Sequence, residues 1–233
     1  MKISIVLPAF NESSIAEESV RSVDATLAKL GVTYEIIVSD DGSDDDTKAV
    51  VERAALPSVR VLRWPHRGKG AALTSAFQET CGEIVGFIDI DLEISDAYLP
   101  EFVSAIGDGA DVVIASKVMD RESSRRRPWK RRLTTAGYNW LVRLLFQTGL
   151  GDHQAGLKLF RREALMPVLP AVESEGWLWD TEVLARCVRD NRSIREIGVS
   201  TRPVRPGHVS VLGTSWEMLT RLFDLRKRLN GSR

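Results

Sequence analysis

Short runs of β-branched and other apolar residues alternate with helix-patterned stretches through the first half of the chain, and this alternation constrains the fold more than any other feature. Ile3 to Leu7 precedes a helical pattern over Ser14 to Leu30, Glu35 to Ser39 precedes Asp46 to Ala55, and Val59 to Leu62 precedes Lys69 to Thr80. The series continues with a strand at Ile84 to Ile88, a helix near Tyr98 to Ile106 and a strand at Asp111 to Ala115. Repeated strand–helix units imply an α/β fold with a mainly parallel central sheet flanked by helices. Ile-Ser-Ile-Val-Leu and Ile-Val-Gly-Phe-Ile are apolar almost throughout, as strands covered on both faces are. The part up to residue 116 therefore reads as a Rossmann-like half.

The second half is less regular. A helix is expected over Leu133 to Gln147, a short extended piece at Leu157 to Phe160, helices near Arg162 to Leu169 and Asp180 to Arg189, a strand at Ile194 to Val199, and a last helix over Ser215 to Leu229. No repeat or low-complexity linker divides the chain, so one domain is expected over residues 1–233. It would comprise a ligand-binding half, 1–116, and an acceptor-side half, 117–233. With 233 residues and 43% hydrophobic content, a core can form without disulfides or a structural metal. Cys81 and Cys187 match no metal or redox spacing and read as reduced thiols. The longest uncharged stretch, Pro206 to Trp216, is far short of a membrane span, and Ile3 to Leu7 is too short for a secretory signal, so a cytoplasmic protein is expected.

The 32 basic and 32 acidic residues balance, but not locally. Five aspartates crowd positions 40–46, and seven Arg or Lys residues crowd positions 121–132. In an open parallel sheet, ligands bind outside the carboxyl ends of the strands. The second strand ends in Ser39-Asp40-Asp41-Gly42-Ser43 and the fourth in Asp89-Ile90-Asp91-Leu92-Glu93, so both acidic sets fall on that edge. Asp44 to Asp46 read equally as a solvated turn and helix cap. Asp89 and Asp91, two apart at a strand end, repel each other unless a cation or shared proton intervenes. A hard divalent cation completed by substrate phosphates is the usual solution.

Other nucleotide chemistries do not fit. Pro8-Ala9-Phe10-Asn11-Glu12 follows the first strand where a dinucleotide site needs glycines, and Gly68-Lys69-Gly70 lacks the remaining residues of a P-loop. Lys69 nonetheless opens a helix whose free amides favour an anion. His66, His153 and His208 show no metal-ligand spacing, and no nucleophile-elbow motif supports a hydrolase. With no net positive charge and no nucleic-acid motif, the basic run reads as a solvated loop or as a site for an anionic acceptor, with Arg131 the best placed of its members.

Taken in order, Val6 to Glu12, Ser39 to Ser43, Gly68 to Gly70 and Asp89 to Asp91 resemble the inverting family 2 glycosyltransferases of the GT-A fold. Asp152-His153-Gln154-Ala155-Gly156-Leu157-Lys158-Leu159-Phe160, followed by Trp179-Asp180-Thr181-Glu182, is similar to the polyprenyl-phosphate (dolichyl-phosphate) glucose and mannose synthases. The resemblance implies a donor site of Pro8, Phe10, Glu12, Asp40, Asp41 and Lys69 for a nucleotide diphosphate sugar. It implies magnesium or manganese on Asp89 and Asp91, with Glu93 as a third ligand where relatives often have Gln. Lys117 and Arg131 would hold the acceptor phosphate, Lys117 standing where many members have Arg, and Asp152 is the first choice for a base. The expected activity is sugar transfer to a polyprenyl or dolichyl phosphate by a peripheral enzyme at the cytoplasmic membrane face. The alternatives are transfer to a saccharide hydroxyl and a non-catalytic nucleotide-sugar-binding subunit. The C-terminal helix reads either as packed or as interfacial, and a membrane-protein partner or homo-oligomer is left open.

Overall fold

The computed structural model describes residues 1–119, 129–202 and 214–231, with side chains at 129–135, 214–219 and 230–231 excepted. The strands are β1 (Lys2–Ala9), β2 (Thr33–Asp40), β3 (Val59–Arg63), β4 (Ile84–Ile88), β5 (Val112–Ser116), β6 (Leu157–Arg161) and β7 (Ile194–Gly198). The helices are α1 (Ala16–Ala28), α2 (Thr47–Arg53), α3 (Lys69–Gln78), α4 (Leu99–Gly107), α5 (Trp129–Phe146), α6 (Arg162–Leu165), α7 (Trp179–Arg189) and α8 (Thr214–Gly231). One seven-stranded sheet runs in the order β3-β2-β1-β4-β6-β5-β7. All neighbours pair in parallel except β6, which is antiparallel to both β4 and β5.

Alternation within the strands explains why both faces are covered. Ile3, Ile5 and Leu7 of β1 face one core with Val20, Val23 and Leu27 of α1 and Phe102 and Ile106 of α4. Val6, together with Val85 and Phe87 of β4, faces the other core with Leu73 and Phe77 of α3 and Trp179 and Val183 of α7. Both sides of these strands leave water, which is what selected their continuous apolar sequences. A third cluster joins Val142 of α5 to Leu222, Leu225 and Leu229 of α8.

The short extended piece in the second half is β6, inserted between β4 and β5. Its reversed direction pairs Ile88, the last residue of β4, with Leu157, the first of β6. The segment entering β6, residues 148–156, is thereby delivered to the carboxyl edge beside Asp89. The helix expected over Arg162 to Leu169 is shorter: α6 ends at Leu165, because Pro167, after the still helical Met166, has no amide to continue the hydrogen-bond ladder.

Candidate active site

The carboxyl ends of β1, β2 and β4 form one rim. Asp40 closes β2 and is 1% exposed. Its Oδ1 accepts the Ser43 amide at 2.9 Å, while Oδ2 is buried without a hydrogen-bond partner, Arg63 Nε standing 3.5 Å away. A buried carboxylate oxygen left so is costly unless something else completes it. Asp41 serves its own loop: Oδ1 accepts the Arg67 amide and Oδ2 the Gly68 amide, each at 2.9 Å. Gly42, next in the chain, has φ 79°, and a Cβ there would lie 2.8 Å from the His66 amide nitrogen. The turn therefore needs glycine both for its conformation and for the close approach. Phe10 stacks on His66, ring centroids 4.2 Å apart, and is 40% exposed at the mouth. Pro8 is buried in β1, and the Glu12 amide is fixed by Thr47 Oγ1 at 2.8 Å.

Asp41 thus positions the start of α3, where Lys69 points inward. Its Nζ lies 2.6 Å from Asp89 Oδ1 and above the rings of Phe87 and Trp177, at 4.8 and 5.3 Å. Burial works against its charge, but Asp89 and Asp180 outweigh that and hold the amine above its ordinary range. The β4 strand then turns tightly: Leu92 has φ 48° and its amide returns to the Asp89 carbonyl at 3.0 Å. Asp91 accepts the Glu93 amide at 3.0 Å. Desolvation, followed by the like charges of Asp89 and Glu93, raises the Asp91 carboxyl above its usual range. Gly156 leaves the space that Asp89 occupies, since a Cβ there would lie 2.2 Å from Asp89 Oδ2.

Beyond β5, the Lys117 amide donates to Asp152 Oδ2 at 3.1 Å, and its Nζ lies 3.5 Å from Glu93 Oε2. Asp152, 1% exposed, also accepts the Gln154 amide at 3.2 Å. Glu196 of β7 anchors this loop through the amides of Gly151 and Asp152. His153 is buried against Thr148 Oγ1 at 2.7 Å. Burial, helped by the charges of Lys158 and Arg143, lowers its pKa to about 3.

The rim therefore presents at β2 a buried carboxylate with one oxygen lacking a hydrogen bond, two aspartates at β4 and a partly buried cation between them. The model of the family described as glycosyl transferase family 2 matches residues 4–169. The chain belongs to that family. Glycosyltransferase AglD of Haloferax volcanii is 36% identical over 98% of this chain, which spans 38% of that longer protein. A dolichyl-phosphate beta-glucosyltransferase of Saccharomyces cerevisiae is 27% identical, covering 96% of this chain and 74% of its own length. Among solved structures, glucosyl-3-phosphoglycerate synthase of Mycobacterium tuberculosis, in complex with Mn2+, UDP and phosphoglyceric acid, superposes with a TM-score of 0.74 at 23% identity. That match covers 97% of this chain and 78% of the other, and the shared fold is the GT-A fold expected from the sequence.

Within this family 2 glycosyltransferase, Pro8, Phe10, Glu12, Asp40, Asp41 and Lys69 lie on one side of the rim, Asp89 and Asp91 at its centre, and Glu93, Lys117 and Asp152 on the other. The side chain of Arg131, in the first turn of α5, lies outside the described residues, as does most of the basic run. Among the described residues no three carboxylate, imidazole or thiol groups converge as a ready-made cation cage. Glu93 Oε2 lies 3.5 Å from Lys117 Nζ. Three contributors were not singled out from the sequence: Lys158, Glu196 and Trp177. A lysine amid the apolar Leu157-Lys158-Leu159-Phe160 run was the one available signal, because an unpaired lysine is not buried in a sheet. Its Nζ pairs with Asp180 Oδ1 at 2.5 Å and with the Ala155 carbonyl at 2.7 Å.

Proposed function

We propose that this glycosyltransferase moves a hexose, glucose or mannose, with inversion, from a nucleoside diphosphate sugar to a polyprenyl or dolichyl phosphate. The observation that carries the reading is the pairing of Asp40 with the Lys69–Asp89–Asp91 group across one rim. β2 and β4 flank β1, so their ends stand about 10 Å apart, which suits a nucleoside held at Asp40 and its diphosphate at Asp89. Asp40 Oδ2, which has no hydrogen bond, would accept from the base, and Phe10 would line the mouth.

Asp89 and Asp91 fit a divalent cation, magnesium or manganese. They share a strand end, burial and then the like charges of Asp89 and Glu93 raise Asp91, and Gly156 leaves Asp89 room to turn. Bound there, such an ion supplies positive charge to the departing diphosphate. Two protein carboxylates with phosphate oxygens make a sufficient set for it, so Glu93 is spared to orient Lys117. Lys69, pre-charged and partly desolvated, adds a second positive group to the same phosphates. The acceptor phosphate, placed by Lys117 and Arg131, attacks the anomeric carbon from the face opposite the diphosphate. A phosphate monoester has its second pKa near 6 and is already anionic, so no proton need be removed. Asp152 would then hold Lys117 in place, and would act as a base only for a hydroxyl acceptor.

The acceptor places the enzyme at a membrane, peripherally on the cytoplasmic face. Among the described residues no helix is long and apolar enough to cross one. Screening nucleotide sugars for transfer to a short-chain polyprenyl phosphate, with magnesium or manganese and with chelator, tests the reading. Lys117→Ala should raise the Michaelis constant for the acceptor roughly tenfold and leave that for the donor unchanged. Transfer to saccharides alone, or chelator-resistant transfer, would overturn it.

A further inference from the structure

α5 turns an apolar stripe away from the protein. Its inner face carries Asn139 and Val142, both buried, and the partly buried Tyr138, Leu141, Leu145 and Phe146 pack on the cluster shared with α8. On the opposite side Trp140 and Leu144, one turn apart, are 61% and 59% exposed. Leaving a tryptophan and a leucine side by side in water forgoes about 1.5–3 kcal/mol for each.

α8 packs against the inner side of α5. Leu222, Leu225 and Leu229 are its buried side, and at 100° per residue Phe223 and Arg226 share one flank. Arg226 donates to the Leu145 carbonyl, so that flank is the one turned to α5. Phe223 of α8 is 49% exposed. In sequence both helices are mainly basic: α5 includes Lys130, Arg131, Arg132 and Arg143 with no acidic residue, and α8 includes Arg221, Arg226, Lys227 and Arg228 against Glu217 and Asp224.

We infer that the Trp140–Leu144 row of α5 is the face by which this protein lies on an anionic lipid surface. Aromatic and aliphatic side chains on the outer side of a basic helix are what an interfacial helix inserts, while its Lys and Arg meet the anionic headgroups. The inference names the docking face for the proposed lipid acceptor, and so rests on that reading. It also links docking to the site. Asn139, on the inner side of α5, holds His153 beside Asp152, with Oδ1 3.5 Å from the His153 amide and 3.4 Å from Nδ1. The helix that would meet the headgroups is the one that braces the acceptor-side loop, which sets the depth at which a membrane-held phosphate reaches Asp89.

Co-sedimentation of the full chain with vesicles of phosphatidylcholine doped with phosphatidylglycerol, against phosphatidylcholine alone, is the direct measurement. The parent should bind the anionic vesicles more strongly, and Trp140→Ser with Leu144→Ser should weaken binding roughly tenfold or more. Turnover on a water-soluble short-chain polyprenyl phosphate should stay at the parent level, because neither side chain touches the site. Trp140→Ser alone repeats the test should the double variant fail to fold. Vesicle binding unchanged in folded variants, or equal on both vesicle types, would overturn the inference. So would a parent that ignores vesicles and instead forms a dimer lost in the variants. Vesicle binding by a parent that never glycosylates the short acceptor would sink the proposed function and leave the docking face standing.

Discussion

Lys158 in the middle of β6 and Asp180 in the first turn of α7 form an ion pair, Nζ to Oδ1 2.5 Å, with side chains 0% and 3% exposed. Lys158 Nζ also lies 5.1 Å from the centre of the Phe87 ring, the ring that Lys69 approaches at 4.8 Å. Burial pulls the Lys158 amine below its ordinary range, with Asp180 opposing. The pair ties the strand beside β4 to the helix behind the site, and the Asp180 charge also helps keep Lys69 protonated.

Lys158→Met should therefore destabilise the protein by about 3–5 kcal/mol, since it strands the Asp180 carboxylate in the core. Lys158→Met with Asp180→Leu should recover most of that loss, because no lone charge remains. Urea denaturation of the three proteins measures both values. A single variant within 1 kcal/mol of the parent would mean that Asp180 readily finds water.

Gly156→Ala should cut kcat by roughly a hundredfold with little loss of fold, by displacing Asp89 from its productive position. The new Cβ would lie 2.2 Å from Asp89 Oδ2 and 2.6 Å from Cγ, and the Asp89 amide is fixed to the Gly156 carbonyl at 2.8 Å. The backbone cannot retreat easily, so the carboxylate must. Gly137→Ala in α5 is the control: nothing lies within 4 Å of its Cβ position, and it should keep full activity. Equal kcat in the two variants would show that Asp89 tolerates the shift.

Asp40→Ala should weaken nucleoside diphosphate binding by roughly tenfold or more, as expected for loss of a hydrogen bond to a charged group. Contacts remote from the reacting carbon stabilise ground and transition states alike, so kcat at saturating donor should stay near the parent value. Titration calorimetry and steady-state kinetics separate the two. Unchanged affinity would reduce Asp40 to a cap for the Ser43 amide.

The parallel half of the sheet was legible because Ile3 to Leu7 and Ile84 to Ile88 leave water on both faces and say so in their composition. The direction of β6 was not, because five residues with a lysine among them carry no sign of which way the chain returns. Asp40 and Asp41 look equivalent in sequence. The structure separates them: β2 ends at Asp40, whose Oδ2 is left without a hydrogen bond, while both oxygens of Asp41 hold the amides ahead of Lys69. The Lys158–Asp180 pair joins residues 22 positions apart, and its partner choice is a tertiary fact that no local pattern contains.

His153 gives the fold a pH dependence whose sign follows from its pKa, lowered from 6.5 to about 3 chiefly by burial. A histidine that is neutral in the folded state and titrates normally when unfolded contributes its full stability above pH 6.5. As pH falls below that value the unfolded chain takes up a proton that the folded one refuses. Stability should then drop by up to about 1.4 kcal/mol per pH unit on account of this residue, until the folded state protonates near pH 3. Glu35 and Asp45, both lowered to about 2, act in the same direction but only below their ordinary values of 4.5 and 3.8. The interval from pH 6.5 to about 5 lies above both, and comparison with a variant lacking the histidine removes what other groups, the raised Asp91 among them, contribute there. Urea midpoints measured in steps across it should slope in the parent and flatten in His153→Asn, even though the variant also loses the Thr148 hydrogen bond and is weaker at every pH. Parallel slopes in the two proteins would show that His153 meets water, or becomes protonated, in the folded state.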